Sequence, residues 1–457
     1  MFTTLMAIGI NKSEKSKAEM ETDKTTLDDL SIFNHEEEFS VFNKLNLTRT
    51  VGGREKLRQI FHRSLGDIRE INNVHKTLQT IIEHQSRWPL IISNGSIMMI
   101  HKFYESSIDL PPSRPTITSA SYYKLFHGPD FSLIKYSTGH AFDFIKGMQQ
   151  IVSVFLNDAA PDNLKRILEK AQVLVDKTQL QIISHKVKSS DLSITEMLTL
   201  AYYIRFHYKQ QMFELIEIYS HLDAWYGMAM AVNEFKLVFP VFISSEEPVL
   251  KSKKLYHILL HDPVAYDVEL NKKDNFMFLT GANMAGKSTF IKAVGSAVFL
   301  AHLGMGIPAQ SMELSLFAGL LSNINVMDNV AKGESYFYNE VQRIKNTILK
   351  INDGRKWLIL IDELFKGTNV QDAMKCSIVV IEGLIKIKQS IFILSTHLYE
   401  IGDELKKYPN INFKYFETNV TEEHLNFSYQ LRNGISNDRL GYLILKREKV
   451  IELLEGL

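Results

Sequence analysis

The apolar positions of this chain change their spacing once, near residue 246. Before that point they recur every three or four residues, and after it they gather into short runs. In DIREINNVHKTLQTIIEHQ (67–85), Ile68, Ile71, Val74, Leu78 and Ile81 share one stripe, which predicts an amphipathic helix. A second such helix follows Gly52-Gly53 within VFNKLNLTRTVGGREKLRQIF (41–61). Two longer helical patterns come next, one over about 161–184 and one from about Ser193 to Phe235, separated by the polar turn SHKVKSSDLS. The second would run about 40 residues, or ~60 Å at about 1.5 Å per residue. That length predicts a lever or coiled-coil arm, with a kinked or broken core helix as the alternative. Residues 106–138 carry Pro111, Pro112 and Pro115 and predict an irregular connection. Residues 1–26 include NKSEKSKAEMETDKTT, polar and without aromatics, and predict a disordered arm.

After Pro248 the runs NFMFLTG, KWLILID and SIFILSTH each end in a sharp turn and alternate with helical segments. Such runs predict a buried, mostly parallel sheet between helices. The fold class is therefore α/β plus all-α, divided as an arm over 1–26, a helical region over 27–245 and an α/β domain over 246–457.

Candidate chemistry begins where the first run stops. GANMAGKST (281–289) has the spacing of a phosphate loop: Gly281, four residues, Gly286, Lys287, Ser288. Glycines let several backbone N–H groups point into one hollow, and the following helix adds the positive end of its dipole. Lys287 can reach the β- and γ-phosphates, and the Ser288 hydroxyl can sit on Mg²⁺. Asp362 and Glu363 end the strand KWLILIDE. Beside a phosphate loop, the first carboxylate suits Mg²⁺ and the second suits orienting an attacking water. His397, in STH, could touch the γ-phosphate or position water, although a lone histidine is as readily structural. Ser335, in AKGESYFYNEV (331–341), stands where it either caps a helix starting near Tyr336 or lets a second subunit offer that helix start to the γ-phosphate.

Composition narrows the setting. The 457 residues carry no net formal charge, so no whole-chain basic excess advertises nucleic acid. A single cysteine, Cys376, excludes an internal disulfide framework and fits a reducing, cytoplasmic compartment. No run approaches the roughly 18 apolar residues of a membrane helix, and MFTTLMAIGI lacks the basic start of a signal peptide.

Taken in order, GANMAGKST, AKGESYFYNEV, LILIDELFKGTNVQDA and STHLYEI resemble the ATPase domain of MutS-type DNA mismatch repair proteins, an ABC-type P-loop class. LTRTVGGREKLRQIFHRSLGDIREINNVHKTLQTI (47–81) is similar to the start of that family's helical core, and the two long helices look like its levers. The resemblance implies ATP and Mg²⁺ at composite sites of a homodimer. Gly281, Asn283, Met284, Gly286, Lys287, Ser288 and Thr289 would hold the nucleotide, Ser288 and Asp362 the metal. Glu363 and His397 would be catalytic, and Ser335 would come from the other chain. Tyr429, in FSYQLRNGISNDRLGYLILKRE, falls where the family stacks a ring on adenine, and Val264, in PVAYDV, is nearest to its second adenine contact. The chain departs from the family pattern at Ala282 and Ala285, and at Phe365-Lys366, where Gly-Arg is usual. With about 26 residues ahead of the core, the domain bearing the mismatch wedge is expected to be absent, and the clamp between the levers absent or reduced to residues 185–193. The implied function is an ATP-dependent DNA-binding protein that switches a helical clamp on duplex, mismatched or branched DNA, with repair proteins as possible partners. The alternative is a dimeric ATP-driven switch acting on a protein partner. Neither reading involves a membrane.

Overall fold

The structure, a computed structural model, describes residues 19–282, 284–325, 336–366, 368–420, 425–436 and 450–455. Its first half contains α1 Lys24–Asp29, α2 Val41–Leu45, α3 Val51–Phe61, α4 Ile68–Glu83, α5 Asn94–Glu105, α6 Ile117–Phe126, α7 Gly128–Phe155, α8 Asp162–Val175, α9 Gln181–His185, α10 Ile194–His207 and α11 Lys209–Glu234. The stripe on α4 is buried as its spacing requires: Ile71, Val74, Leu78 and Ile81 face inward while Ile68 is half-buried. Helix α3 starts at Thr50, whose hydroxyl accepts from the Gly53 N–H. Thr50 is itself fixed by Asp223 of α11, a carboxylate with no exposed surface that accepts from the Arg49 and Thr50 N–H groups and the Thr50 hydroxyl. One buried acid thus caps a helix and joins two elements far apart in sequence.

Three expectations for this half need correction. The stretch from Ser193 to Phe235 is two helices, α10 and α11, because Tyr208 leaves the helical path at φ −121° and ψ 9°. Its ring is buried and its hydroxyl donates to the Leu174 carbonyl of α8 at 2.8 Å, so a tertiary anchor decides the break. Likewise 161–184 divides into α8, a short 3₁₀ turn and α9. Residues 106–138 are not irregular throughout. The three prolines precede Thr116, which caps α6 through a capping box with Ser119, and Pro129 sits in the first turn of the 28-residue α7.

The described part of the expected disordered arm is ordered. Met20 is 2% exposed, its carbonyl accepts from the Ser64 hydroxyl at 2.7 Å, and Glu21 pairs with Gly319 as a parallel bridge. Just past that arm Asp29, also 2% exposed, accepts from the Ser322 hydroxyl, the Ile324 and Asn325 N–H groups and Arg343. An apolar plug and a satisfied buried carboxylate outweigh the polar composition around them.

The second half holds β1 Val241–Ile243, β2 Val249–Leu255, β3 Tyr266–Asn271, β4 Phe276–Thr280, β5 Ser311–Ser315, β6 Gly319–Asn323, β7 Trp357–Asp362, β8 Ile391–Ser395, β9 Ile411–Val420 and β10 Leu425–Asn433. Between them lie α12 Lys287–His302, α13 Tyr336–Ile351, α14 Val370–Leu384 and α15 Ile401–Leu405. Six strands form one sheet in the order β10-β9-β4-β8-β7-β6, parallel except for the β10–β9 pair. Every residue of β4, β7 and β8 is buried, which is why their sequences are continuous apolar runs rather than alternating ones. A second sheet, β1-β5-β2-β3, lies apart from the first and was not expected from sequence. Strand pairing begins at Val241, a few residues before the change of texture. Helix α12 joins the halves, with Phe299 packed against Phe61 at 6.3 Å and the Leu65 N–H donating to the His302 carbonyl. Among the described residues no helix is long and apolar enough to cross a membrane.

Candidate functional site

The sheet order places the carboxyl ends of β4, β8 and β7 side by side. The loop after β4, the acidic pair after β7 and the STH segment after β8 therefore meet at one edge, where open α/β sheets bind ligands. The loop leaves β4 at Gly281, with φ +140°, and enters α12 at Gly286, with φ +104°. A side chain at Gly286 would be strained, and its Cβ would come within 3.4 Å of the Tyr429 ring.

Lys287, 5% exposed, folds its ammonium back onto the Gly281 and Ala282 carbonyls at 2.8 and 3.0 Å. Burial pulls its pKa below the usual lysine range, with the Glu363 and Asp362 charges opposing that shift. Ser288 donates to Asp362 Oδ2 at 2.5 Å, and Ser395 donates to Asp362 Oδ1. Ser395 pairs with Asp362 across β8 and β7, so strand register supplies this second contact. These oxygens make a hard donor set at the floor of the site, and Ser288 with Asp362 suits a small divalent cation.

Glu363 turns away from its neighbour because its backbone adopts φ +60° while its N–H still donates to the Ser395 carbonyl at 2.9 Å. His397 and Lys366 hold its carboxyl down at about 2. His397 Nδ1 lies 3.7 Å away, beyond a good hydrogen bond, whereas the Lys366 ammonium is at 3.1 Å and is the nearer partner. The two adjacent acids thus have different surroundings: Asp362 is held by hydroxyls, Glu363 by a lysine ammonium with an imidazole beside it.

A cleft of about 550 Å³ opens above this floor. Val264, Met284, Gly286, Lys287, Ser288, Thr289, Glu363 and Tyr429 all line it, although Val264 and Tyr429 lie far apart in sequence. Tyr429 reaches the cleft because β10 bulges between Phe427 and Gln430, leaving Tyr429 at φ +52°. Below it, Tyr266, Phe290 and Phe416 pack edge to face at 5.4 to 6.0 Å. Burial, with Tyr429 nearby, pushes the Tyr266 hydroxyl up to about 12.

Asn283 and Ser335 lie outside the described residues. Gly281, Asp362 and His397 do not line the cleft but contact residues that do: Gly281 bonds Lys287, Asp362 bonds Ser288, and His397 Nδ1 is 3.7 Å from Glu363. Sequence reasoning missed Ser395, Lys366, Tyr266, Leu260 and Asp262. Ser395 stands two residues before His397, and Tyr266 two after Val264, so each was one strand step from a residue already singled out.

Residues 277–451 match the family model for MutS domain V. The C-terminal part of the chain belongs to the MutS family. Human MutS protein homolog 4 is 28% identical over 239 residues, covering 50% of this chain and 25% of that protein. The DNA mismatch repair protein MutS of Thermotoga maritima is 27% identical over 243 residues, covering 52% of this chain and 30% of that protein. The chain thus spans less than a third of either relative. The MutS domain contains most of the cleft, while Val264 and Tyr266 enter from β3 and the segment before it, ahead of the matched residues.

Proposed function

We propose that the protein is a MutS-type, ATP-dependent DNA-binding protein that hydrolyses ATP at composite sites shared by two copies of the chain. The observation that carries this reading is the Ser288–Asp362 hydrogen bond at the floor of a cleft walled by Val264 and Tyr429. Phosphates fit the turn of Gly281 to Thr289, where backbone N–H groups and the start of α12 favour negative charge. Lys287 exchanges its own loop carbonyls for phosphate oxygens. Tyr429 and Val264 flank the adenine. Ser288 and Asp362 would hold Mg²⁺, which when bound neutralises phosphate charge. Glu363 orients the attacking water, and His397, beside its carboxylate, touches the γ-phosphate or positions that water. Asn283 completes the loop, and Ser335, the residue before α13, is the contribution expected from the second copy. Positioned charge supplies most of the catalysis in such phosphoryl transfer. Closure of two ATPase units on ATP then moves the helical region that engages DNA.

The test is a nucleotide-binding and DNA-binding series. Lys287→Ala loses nucleotide binding, and Glu363→Ala keeps it but loses turnover. The Glu363→Ala protein with ATP is then offered perfect duplex, mismatched duplex and a four-way junction at two salt concentrations. Salt-sensitive binding to one of them supports the DNA reading. A dimer that retains ATP and binds none of them moves the search to a protein partner.

A further inference from the structure

Two residues past Glu363, Phe365 adopts φ +59°, a left-handed backbone suited to glycine and strained for a side chain branched into a ring. Phe365 is nevertheless 4% exposed, and its ring lies 5.5 Å from that of Phe337 at an interplanar angle of 51°. That separation is within the range of a favourable aromatic pair. Phe337 stands in the first turn of α13. Two turns further along, Arg343 donates to the Asp29 carboxylate and the Ser322 carbonyl at 3.0 and 2.6 Å. Helix α13 is therefore held at two points. Arg343 ties it to the end of β6, and the Phe337 ring ties its first turn to the segment that carries the acidic pair.

We propose that Phe365 is a positioning residue for hydrolysis, its ring fixing the start of α13 relative to Asp362 and Glu363. This rests on the reading above, in which Ser335, the residue before α13, is offered to the neighbouring site. Strain kept at a functional segment fits such a part, since a glycine there would relieve the backbone and remove the contact. The link joins the two half-sites that each chain contributes: the acids used in its own cleft and the helix start presented to the partner's.

The experiment uses the full chain and four variants. Phe365→Gly relieves the backbone but empties a buried position, so it is expected to melt lower than the wild type, and exchange is compared below that melting range with the amides of the helical half as reference. Without nucleotide, amide exchange across Phe337–Arg343 is expected to quicken at least tenfold in Phe365→Gly. With ATP, its nucleotide affinity stays within about twofold while kcat falls at least tenfold. Phe337→Ala gives the same split, and the double variant falls no further than either single one. Phe337→Tyr, which keeps the ring, retains wild-type kcat. Unchanged exchange in Phe365→Gly overturns the link. Quickened exchange with wild-type kcat, or losses that multiply in the double variant, overturns the positioning role. A wild-type chain that binds no ATP overturns the functional reading and the hydrolytic role together, while the exchange data still decide whether the two elements are tied.

Discussion

The helical half and the α/β half of this chain answer to different constraints. In the α/β half, β4, β7 and β8 are buried along their whole length and paired in register. Whatever follows their last residues must then emerge at one edge, so Gly281, Asp362 and Ser395 come together by connectivity alone. In the helical half, element length is set by single side chains reaching across the core. Tyr208 ends a helix by bonding Leu174, and Asp223 starts another by capping Thr50. One half places chemistry through its backbone, the other places helices through buried polar anchors.

That contrast can be broken in either half. The largest effect on activity is expected at the sheet edge: Glu363→Ala lowers turnover at least 1000-fold, about 4 kcal/mol in barrier, with unchanged melting and nucleotide affinity, checked by steady-state ATPase assay and calorimetry. In the helical half, Asp223→Ala strands three buried donors and is expected to cost about 3 kcal/mol, read by urea denaturation. Equal stability in Asp223→Ala would mean the anchor is ornamental and the contrast false.

Acid sharpens the comparison. Burial depresses the pKa of His75 in the helical half, and of His257 and His302 in the α/β half, from 6.5 to about 4. The unfolded chain therefore binds protons that the folded chain refuses. Stability from these groups is complete above pH 6.5 and drains as pH falls towards 4, by about 1.4 kcal/mol per unit for each histidine. His302 has both ring nitrogens engaged, with Leu65 and Phe317, whereas His75 Nε2 has no hydrogen-bond partner among the described residues. His75→Phe should thus flatten the acid limb of a stability–pH curve without loss at pH 7, and a curve unchanged in shape would refute it. The smallest effect is Tyr208→Phe, about 1 kcal/mol for one hydrogen bond, with α10 and α11 still separate by amide exchange.

The same contrast explains what the sequence allowed to be read. The parallel strands, the phosphate loop and the acidic pair were legible because a local pattern carries each one. Val264 and Tyr429 were reached by resemblance, and they line one cleft because β3 and a bulge in β10 bring them there. The second sheet was hidden because β1 and β5 are short and only half-buried in pattern. The break at Tyr208 and the ordering of Met20 and Asp29 depend on partners distant in sequence, which no window of residues displays, whereas the start of α6 at Thr116 rests on a local box with Ser119 that the prolines before it obscured. Ser395 was passed over because its role arises from register with Asp362.

Asp29 has a further consequence, for synthesis. Its carboxylate bonds Ser322, 293 residues later in the chain. At roughly 5–20 residues per second, a ribosome needs roughly 15 to 60 s to supply that partner. During this interval Met20 and Leu30, both at most 2% exposed in the finished fold, lack the surfaces that bury them. Edge strand β6 in turn cannot be closed until a segment made long before is free to return to it. A bulky tag or an engaged chaperone at the N-terminus would therefore be felt at the far edge of the six-stranded sheet, late in translation rather than at its start.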